Sequence, residues 1–231
     1  MEKKQLLFLH GYLSEGGAFA AQTHFFSQYF DCFAPDLPGF GKNAAMPYPY
    51  ALGDYVNWLK DYMRENGVVK PHVVAHSFGA RVAVKAAAED GALFSALVLT
   101  GAAGLRPRRS LAYRAKRLKF LLLKPFRTRK ELEKYYSSDY RALSGVMRES
   151  FVKIVNEHLE ACAKKVKNPV LLVYGENDRE TPLYMARRYK KLIAGSRLLV
   201  LKNAGHFAFA ERVAAFNYPV REFLLTRGKE V

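Results

Sequence analysis

Val73-Val74-Ala75-His76-Ser77-Phe78-Gly79-Ala80-Arg81 is the stretch that decides the fold. The apolar run from Val73 to Ala75 predicts a buried strand, and the alanine-rich segment from Phe78 to Asp90 predicts a helix. Ser77 lies at the turn between them, beside unsatisfied N–H groups and the positive end of the helix dipole. This arrangement predicts a nucleophilic serine with an oxyanion site next to it. The alternative is an ordinary strand, loop and helix that contain a serine.

Length and composition limit the class of protein. Half of the 231 residues are hydrophobic, enough for one large core or a core with a small appendage. No apolar run approaches the roughly 18 residues of a membrane span, and Leu6 to Leu9 is too short for a signal-peptide core. We therefore expect a cytoplasmic protein. Cys32 and Cys162 fit no metal or redox spacing, so we expect both to be reduced, with no metal site.

The positive charge is concentrated in one segment. The whole chain carries a net charge of +16. From Leu105 to Lys167, 18 Lys and Arg stand against 6 Asp and Glu, a net of +12. The rest of the chain carries the remaining +4. The basic excess therefore belongs to this segment and not to the whole surface.

Short apolar strands alternate with helical segments along most of the chain. This alternation predicts an α/β fold with a parallel sheet covered on both faces. The predicted strands are Gln5 to Leu9, Cys32 to Pro35, Val73 to Ala75, Leu97 to Thr100, Val170 to Tyr174 and Leu198 to Leu201. The predicted helices around them are Ala18 to Tyr29, Leu52 to Asn66, Phe78 to Asp90, Pro182 to Ile193 and one from after His206 through Phe223.

The segment 105–167 interrupts the alternation once. It contains no run typical of a strand, and it predicts helices at Ser110 to Lys124, Arg129 to Tyr136 and Ser144 to Lys164. We expect a basic helical lid inserted after the fourth strand. Residues 1–104 and 168–231 would then form the core of about six strands. Ligands in such sheets bind at the carboxyl ends of the strands, so the lid would cover the site.

Chemically apt residues follow several of these strands. Loops after parallel strands lie at one edge of the sheet, so Ser77, Asp178 and His206 should meet there. A serine needs a base to take its proton, and the base needs an acid that orients it. His206 fits the base and Asp178 the acid. Their order along the chain is that of α/β-hydrolases and not of the other serine-triad folds.

Each assignment has rivals. Glu176 or Glu180 could be the acid in place of Asp178, which could instead cap the next helix. His10 and His76 flank the expected site, where histidines can hold loops together without transferring protons. No carboxylate follows the Leu97 to Thr100 strand, which removes another position for the acid.

The sequence resembles the α/β-hydrolase superfamily over essentially its whole length. The motifs that carry the resemblance are His10-Gly11-Tyr12, Asp36-Leu37-Pro38-Gly39-Phe40-Gly41, Ala75-His76-Ser77-Phe78-Gly79, Gly175-Glu176-Asn177-Asp178 and Ala204-Gly205-His206-Phe207. The usual Gly-x-Ser-x-Gly pattern has Ala75 at its first position here, a mild departure. The resemblance implies an oxyanion hole from the backbone N–H groups of Tyr12 and Phe78. Substrate contacts are expected from His10, Phe40 and Arg81.

These observations predict a serine hydrolase that cleaves a carboxylic ester or thioester without a cofactor. A serine nucleophile disfavours dehalogenase and epoxide hydrolase activity, which in this superfamily use a carboxylate. One alternative is a lyase or C–C hydrolase acting on an anionic small molecule, because Arg81 and the His-Gly-Tyr-Leu motif resemble menaquinone-pathway lyases. Another is a binding protein without catalysis, which would not need all three triad members.

The basic segment leaves two interpretations open. Its Lys and Arg stems could simply cover apolar helices on a solvated surface. Alternatively, the charge could attract an anionic acyl substrate, or Arg106 to Arg109 could touch anionic lipid. We expect no nucleic-acid partner, because no recognition motif is present. We also expect no stable membrane insertion, and a monomer or small homo-oligomer.

Overall fold

Six parallel strands form a single sheet. The computed structural model describes residues 3–108, 140, 141, 143 and 145–226. The strands in chain order are β1 Lys4–Leu9, β2 Phe30–Phe33, β3 His72–His76, β4 Ala96–Thr100, β5 Val170–Gly175 and β6 Arg197–Leu201. Their order across the sheet is β2-β1-β3-β4-β5-β6, with every neighbouring pair parallel. The predicted six-stranded parallel sheet is confirmed.

Helices cover both faces of this sheet. Those in the described ranges are α1 Ala20–Phe26, α2 Leu52–Glu65, α3 Phe78–Glu89, α4 Gly145–Asn156, α5 Glu160–Lys165, α6 Leu183–Leu192, α7 Ala208–Glu211 and α8 Val213–Thr226. A short 3₁₀ helix, Gly16–Phe19, precedes α1. Helices α1 and α8 pack on one face, whereas α2, α3, α5 and α6 lie on the other.

The alternation of side chains along β1 shows how one strand contributes to the hydrophobic cores on both faces of the sheet. Leu6 and Phe8 are fully buried against the α1 and α8 side, and Leu7 and Leu9 are fully buried against the opposite side. Successive side chains on a strand point to opposite faces, so a strand covered on both faces must be apolar throughout. This requirement explains why the predicted strands are continuous apolar runs.

The path of the chain opens a crevice between β1 and β3. After β1 the chain moves outward to the edge strand β2, then returns to place β3 on the other side of β1. The connections that follow β1 and β3 therefore leave in opposite directions, which is where open α/β sheets bind ligands. Leu9 is paired with Ala75, and His76 with Thr100, so these strands end at the same level.

The segment 105–167 is described in part. Its predicted helices at 110–124 and 129–136 lie outside the described residues, so the lid remains a prediction. The predicted helix at 144–164 is two helices, α4 and α5, separated by residues 157–159. At this break Leu159 N–H donates a hydrogen bond to the Gly104 carbonyl at 2.9 Å, which ties the segment to the end of β4.

Three other elements differ from their predicted bounds by two or more residues. Strand β2 begins two residues before the predicted start, because Lys4 pairs with Phe30 in the register of β1. The helix predicted from Ala18 begins as the 3₁₀ turn, and α1 ends at Phe26. The last predicted helix is interrupted at Arg212, between α7 and α8. Within the described ranges, no helix is long and apolar enough to cross a membrane.

Candidate active site

Ser77 occupies the sharp turn between β3 and α3. Its backbone has φ of 48° and ψ of −101°, an unusual conformation that costs a non-glycine residue on the order of 1–3 kcal/mol. Two hydrogen bonds fix the turn. Ser77 N–H donates to the Thr100 carbonyl at 3.0 Å, and Gly79 N–H donates to the His10 carbonyl at 3.0 Å. The strand, turn and helix predicted around Ser77 are therefore present, with the serine partly exposed at the carboxyl edge of the sheet.

His206 and Asp178 form a buried pair at the same edge. The His206 ring donates through Nδ1 to Asp178 Oδ2 at 2.9 Å. His206 is 9% exposed and Asp178 is 5% exposed, so water competes little for this bond. Of the three carboxylates considered from the sequence, Asp178 is the one that contacts Nδ1. Glu176 instead accepts a hydrogen bond from Asn203 N–H at 3.3 Å.

Neighbouring donors keep Asp178 ionised. Its Oδ1 accepts the N–H groups of Glu180 and Thr181 at 2.9 and 2.8 Å, and its Oδ2 accepts the Thr181 hydroxyl at 2.7 Å. Burial alone would raise the pKa of Asp178, but the hydrogen bonds from His206 and Thr181 together outweigh it and lower the pKa. Asp178 is therefore a fixed negative charge beside the imidazole at neutral pH.

Glu180 contacts the other nitrogen of the same ring. Its Oε2 lies 3.3 Å from His206 Nε2, although the Glu180 side chain is 67% exposed. Both ring nitrogens thus face carboxylates. A base that takes a proton from Ser77 would do so through Nε2, the nitrogen that Glu180 contacts in the structure. The sequence suggested Glu180 only as an alternative to Asp178 for the acid.

The Ser77 turn and the His206 loop meet through His76 and Gly101. The His76 ring lies 4.7 Å from the His206 ring between centroids, and its Nε2 is 3.1 Å from the His206 carbonyl oxygen. A Cβ atom on Gly101 would come within 3.1 Å of the His206 ring. Burial, and after it the nearby His206 charge, lowers the pKa of His76 to about 3, so His76 stays neutral. The structure thus brings the three predicted triad residues to one cluster of loops.

Tyr12 and Phe78, the residues expected to form the oxyanion hole, are neighbours. Their ring centroids are 5.3 Å apart, and the Gly79 hydrogen bond to His10 ties the two backbone segments together. Phe40 is 5% exposed, and its ring lies 4.9 Å from that of Tyr12. These three rings form an apolar wall beside Ser77.

His10 and Arg81 make structural contacts. His10 is fully buried, donating through Nδ1 to the Gly11 carbonyl and accepting Leu37 N–H at Nε2, both at 2.8 Å. Arg81 donates through Nη1 to the carbonyls of Ile154 and Glu157 at 2.7 and 3.0 Å. These contacts indicate that His10 joins two loops and that Arg81 holds the end of α4. Their predicted contacts with substrate remain predictions.

Other residues near the site escaped the sequence analysis. Tyr12 donates its hydroxyl to the Met147 carbonyl at 3.1 Å, and its ring lies 5.2 Å from that of Phe151. Both partners belong to α4, more than 130 residues away, and no local pattern linked that helix to Tyr12. Thr181 could have been noticed as a hydroxyl three residues after Asp178. Within the described part of the chain, no group of three or more His, Cys, Asp or Glu could hold a metal ion.

Known proteins share this architecture. A model of the alpha/beta hydrolase family matches residues 6–217. The uncharacterized hydrolase YugF of Bacillus subtilis is 24% identical over 96% of this chain and 90% of its own. The 2-hydroxy-6-oxononadienedioate/2-hydroxy-6-oxononatrienedioate hydrolase of Klebsiella pneumoniae is 26% identical over 82% of this chain and 74% of its own. The solved esterase EaEST from Exiguobacterium antarcticum is 20% identical, with a TM-score of 0.77 over 97% of this chain and 92% of its own. This chain belongs to the alpha/beta hydrolase family.

Proposed function

We propose that the protein is a serine hydrolase that cleaves a carboxylic ester or thioester through an acyl-enzyme. The observation that carries this proposal is the buried 2.9 Å hydrogen bond between His206 Nδ1 and Asp178, in the loop cluster that also holds Ser77. A buried ionised carboxylate at Nδ1 stabilises the imidazolium that forms when the serine gives up its proton. A domain that only binds ligands has no need of this pair beside a strained serine.

The chemistry proceeds in two steps, acylation and deacylation, and His206 takes up and releases one proton in each. In acylation, Ser77 Oγ attacks the acyl carbonyl while its proton passes to His206 Nε2. The bond to the leaving group then breaks, and the departing alcohol or thiol takes that proton. In deacylation, water attacks the acyl-serine, gives its proton to Nε2, and the carboxylic acid leaves as Ser77 regains a proton. Asp178 stays ionised throughout.

The expected substrate carries an acyl group of modest size. The developing oxyanion would accept hydrogen bonds from the Tyr12 and Phe78 N–H groups, at the positive end of α3. The packed rings of Tyr12, Phe40 and Phe78 place apolar aromatic side chains beside the serine. An acyl chain would lie against this wall.

The direct test is covalent labelling by a fluorophosphonate. We expect one label on wild type, at Ser77, and neither labelling nor turnover of 4-nitrophenyl esters by Ser77→Ala. Loss of the nucleophile typically lowers kcat by roughly 10⁶-fold. Full turnover by Ser77→Ala would rule out the proposed mechanism. Unchanged far-UV circular dichroism of the variant is the control for folding.

A second candidate is a C–C hydrolase or lyase acting on an anionic small molecule. The observation that favours it is the similarity to the Klebsiella hydrolase, whose name describes a dicarboxylate substrate. The lyase alternative depends on Arg81. In the structure, Nη1 of this residue donates hydrogen bonds to the backbone carbonyls of residues 154 and 157. A substrate panel that contrasts esters, thioesters and vinylogous diketo acids separates the candidates.

A further inference from the structure

Three arginines surround a cavity that the proposed reaction does not use. The cavity has a volume of about 590 Å³ and is lined by Arg106, Pro107, Arg108, Glu160 and Arg188. It lies where the chain leaves β4, on the side of α5 and α6. We propose that this cavity binds a phosphate group through the guanidinium groups of Arg106 and Arg108.

Arg188 and Glu160 form the base of the cavity and neutralise each other. Arg188 Nη2 lies 2.8 Å from Glu160 Oε1, and the same oxygen accepts the Arg106 N–H at 2.8 Å. Arg188 also donates through Nη1 to the Arg106 carbonyl. Burial alone would raise the pKa of Glu160, but these hydrogen bonds and the Arg188 charge lower it. The ionised pair therefore fixes the backbone at Arg106. Because Arg188 and Glu160 neutralise each other, the charges of Arg106 and Arg108 remain as the excess positive charge of the cavity lining.

Those two charges lie two residues apart on one short stretch of chain. Pro107 fixes its own φ and biases Arg106 toward an extended conformation. In an extended chain, residues two apart project to the same side. Arg108 is held further by Tyr184, because its N–H donates to the Tyr184 hydroxyl at 3.1 Å and its guanidinium lies 5.2 Å from the ring centre. Both arginines line the cavity.

The ligand class follows from charge and geometry. Each guanidinium can give two parallel N–H bonds to neighbouring oxygens of one anion. A phosphate monoester carries about two negative charges near neutral pH and three free oxygens, which matches two guanidinium groups. A single carboxylate carries one negative charge, so it would neutralise only one of them. The phosphate could belong to a soluble phosphate ester or to the headgroup of a lipid.

The site also lies close to Ser77. Ala103 N–H donates to the Ser77 carbonyl at 3.3 Å, and Arg106 is three residues further along. Three residues span at most about 11 Å even when fully extended. A phosphate bound in the cavity is therefore near the loops of the proposed active site, although its binding does not depend on catalysis there.

Calorimetric titration with inorganic phosphate at low ionic strength tests this proposal without any assay of activity. We expect saturable binding by wild type and at least about a tenfold loss of affinity in Arg106→Gln/Arg108→Gln, because charge-assisted hydrogen bonds are lost. The matched control is Arg64→Gln/Arg197→Gln, which removes the same charge from exposed positions outside the cavity. It should bind phosphate nearly as wild type does. Circular dichroism checks that both variants fold.

The two sources of phosphate are separated by sedimentation with phosphatidylcholine vesicles that contain phosphatidic acid. Loss of vesicle binding in Arg106→Gln/Arg108→Gln but not in the control assigns the site to a lipid headgroup. Unchanged vesicle binding, with loss of inorganic phosphate binding, assigns it to a soluble ester. No saturable phosphate binding by wild type, or equal losses in the two double variants, would overturn the proposal.

Discussion

Each carboxylate of the loop after β5 has a different relation to the His206 ring. Asp178 accepts a hydrogen bond from Nδ1, Glu180 contacts Nε2, and Glu176 accepts a hydrogen bond from the Asn203 N–H group. We therefore expect Asp178→Asn to lower kcat by about 10⁴-fold, because the amide can neither stabilise the imidazolium nor hold the required tautomer. Steady-state kinetics on a 4-nitrophenyl ester measures this loss.

Glu176→Gln is the matched control for Asp178→Asn. It changes the same chemical group in the same loop, but on a side chain away from Nδ1, so its kcat should stay close to wild type. A severe loss in Glu176→Gln with little effect in Asp178→Asn would contradict the assignment of the acid. Thermal unfolding of both variants separates catalytic loss from loss of the fold.

Glu180 sets up a test that depends on pH. Its negative charge, 3.3 Å from Nε2, favours the protonated ring, and only the neutral ring can accept the proton of Ser77. Glu180→Gln removes that stabilisation, so the acidic limb of the kcat/KM profile should move to lower pH. Activity near pH 6 should rise relative to wild type, while the plateau at higher pH changes little. An acidic limb that does not move, or moves upward, would show that Glu180 does not hold the protonated ring.

The sequence predicted which residues meet at the site but not how their side chains are oriented. Ser77, Asp178 and His206 could be chosen because each follows a strand, and parallel strands end at one edge. The contact of Glu180 with Nε2 depends on the conformation of one exposed side chain. The hydrogen bond from Thr181 to Asp178 depends on the turn geometry after β5. Neither produces a periodic pattern in the sequence.

The turn into α3 can be tested through its glycine. A Cβ atom on Gly79 would lie 2.2 Å from the Leu9 carbonyl oxygen, so α3 packs on the end of β1 only because this position has no side chain. Gly79→Ala should lower the free energy of unfolding by about 1–3 kcal/mol. It should also slow fluorophosphonate labelling, since Phe78 and Ser77 would be displaced with the helix.

Gly53 in α2 provides the matched control for Gly79. An added Cβ there would meet only the end of the Lys85 side chain, at 3.9 Å. Gly53→Ala should therefore raise the free energy of unfolding by up to about 1 kcal/mol, because alanine favours the helix. Urea denaturation measures both changes. Equal destabilisation by the two substitutions would mean that contact with β1 is not what requires glycine at position 79.

Elements were predictable where hydrophobic periodicity was strong. The strands from Val73, Leu97 and Val170 are buried on both faces and were found within one or two residues of their observed ends. The break between α4 and α5 was not predicted, because it is set by distant partners. Leu159 bonds to Gly104, and Arg81 holds the carbonyls at the end of α4. Such tertiary contacts produce no recognisable pattern in the local sequence.

At the scale of the whole molecule, positive charge is concentrated in one segment of the sequence. The net charge of +12 belongs to residues 105–167, the segment that follows β4 in the sequence, and the candidate site lies at the carboxyl edge of the sheet. If this charge attracts an anionic substrate, kcat/KM for 4-nitrophenyl hemisuccinate should fall as salt rises, since exposed charges are screened over roughly 10 Å at 0.1 M. The neutral butyrate ester should change little.

Charge reversal distinguishes local attraction from net charge. The variant Arg109→Glu, Lys116→Glu and Lys119→Glu should reproduce the effect of salt on the hemisuccinate ester at low ionic strength. The control variant Lys4→Glu, Arg64→Glu and Arg197→Glu makes the same charge change on described residues, two of which begin strands at the amino edge of the sheet. Because that edge is remote from the site, the control should keep most of the wild-type rate. If both esters instead showed equal salt dependence, the charge of the basic segment would serve surface solvation and not the attraction of substrate.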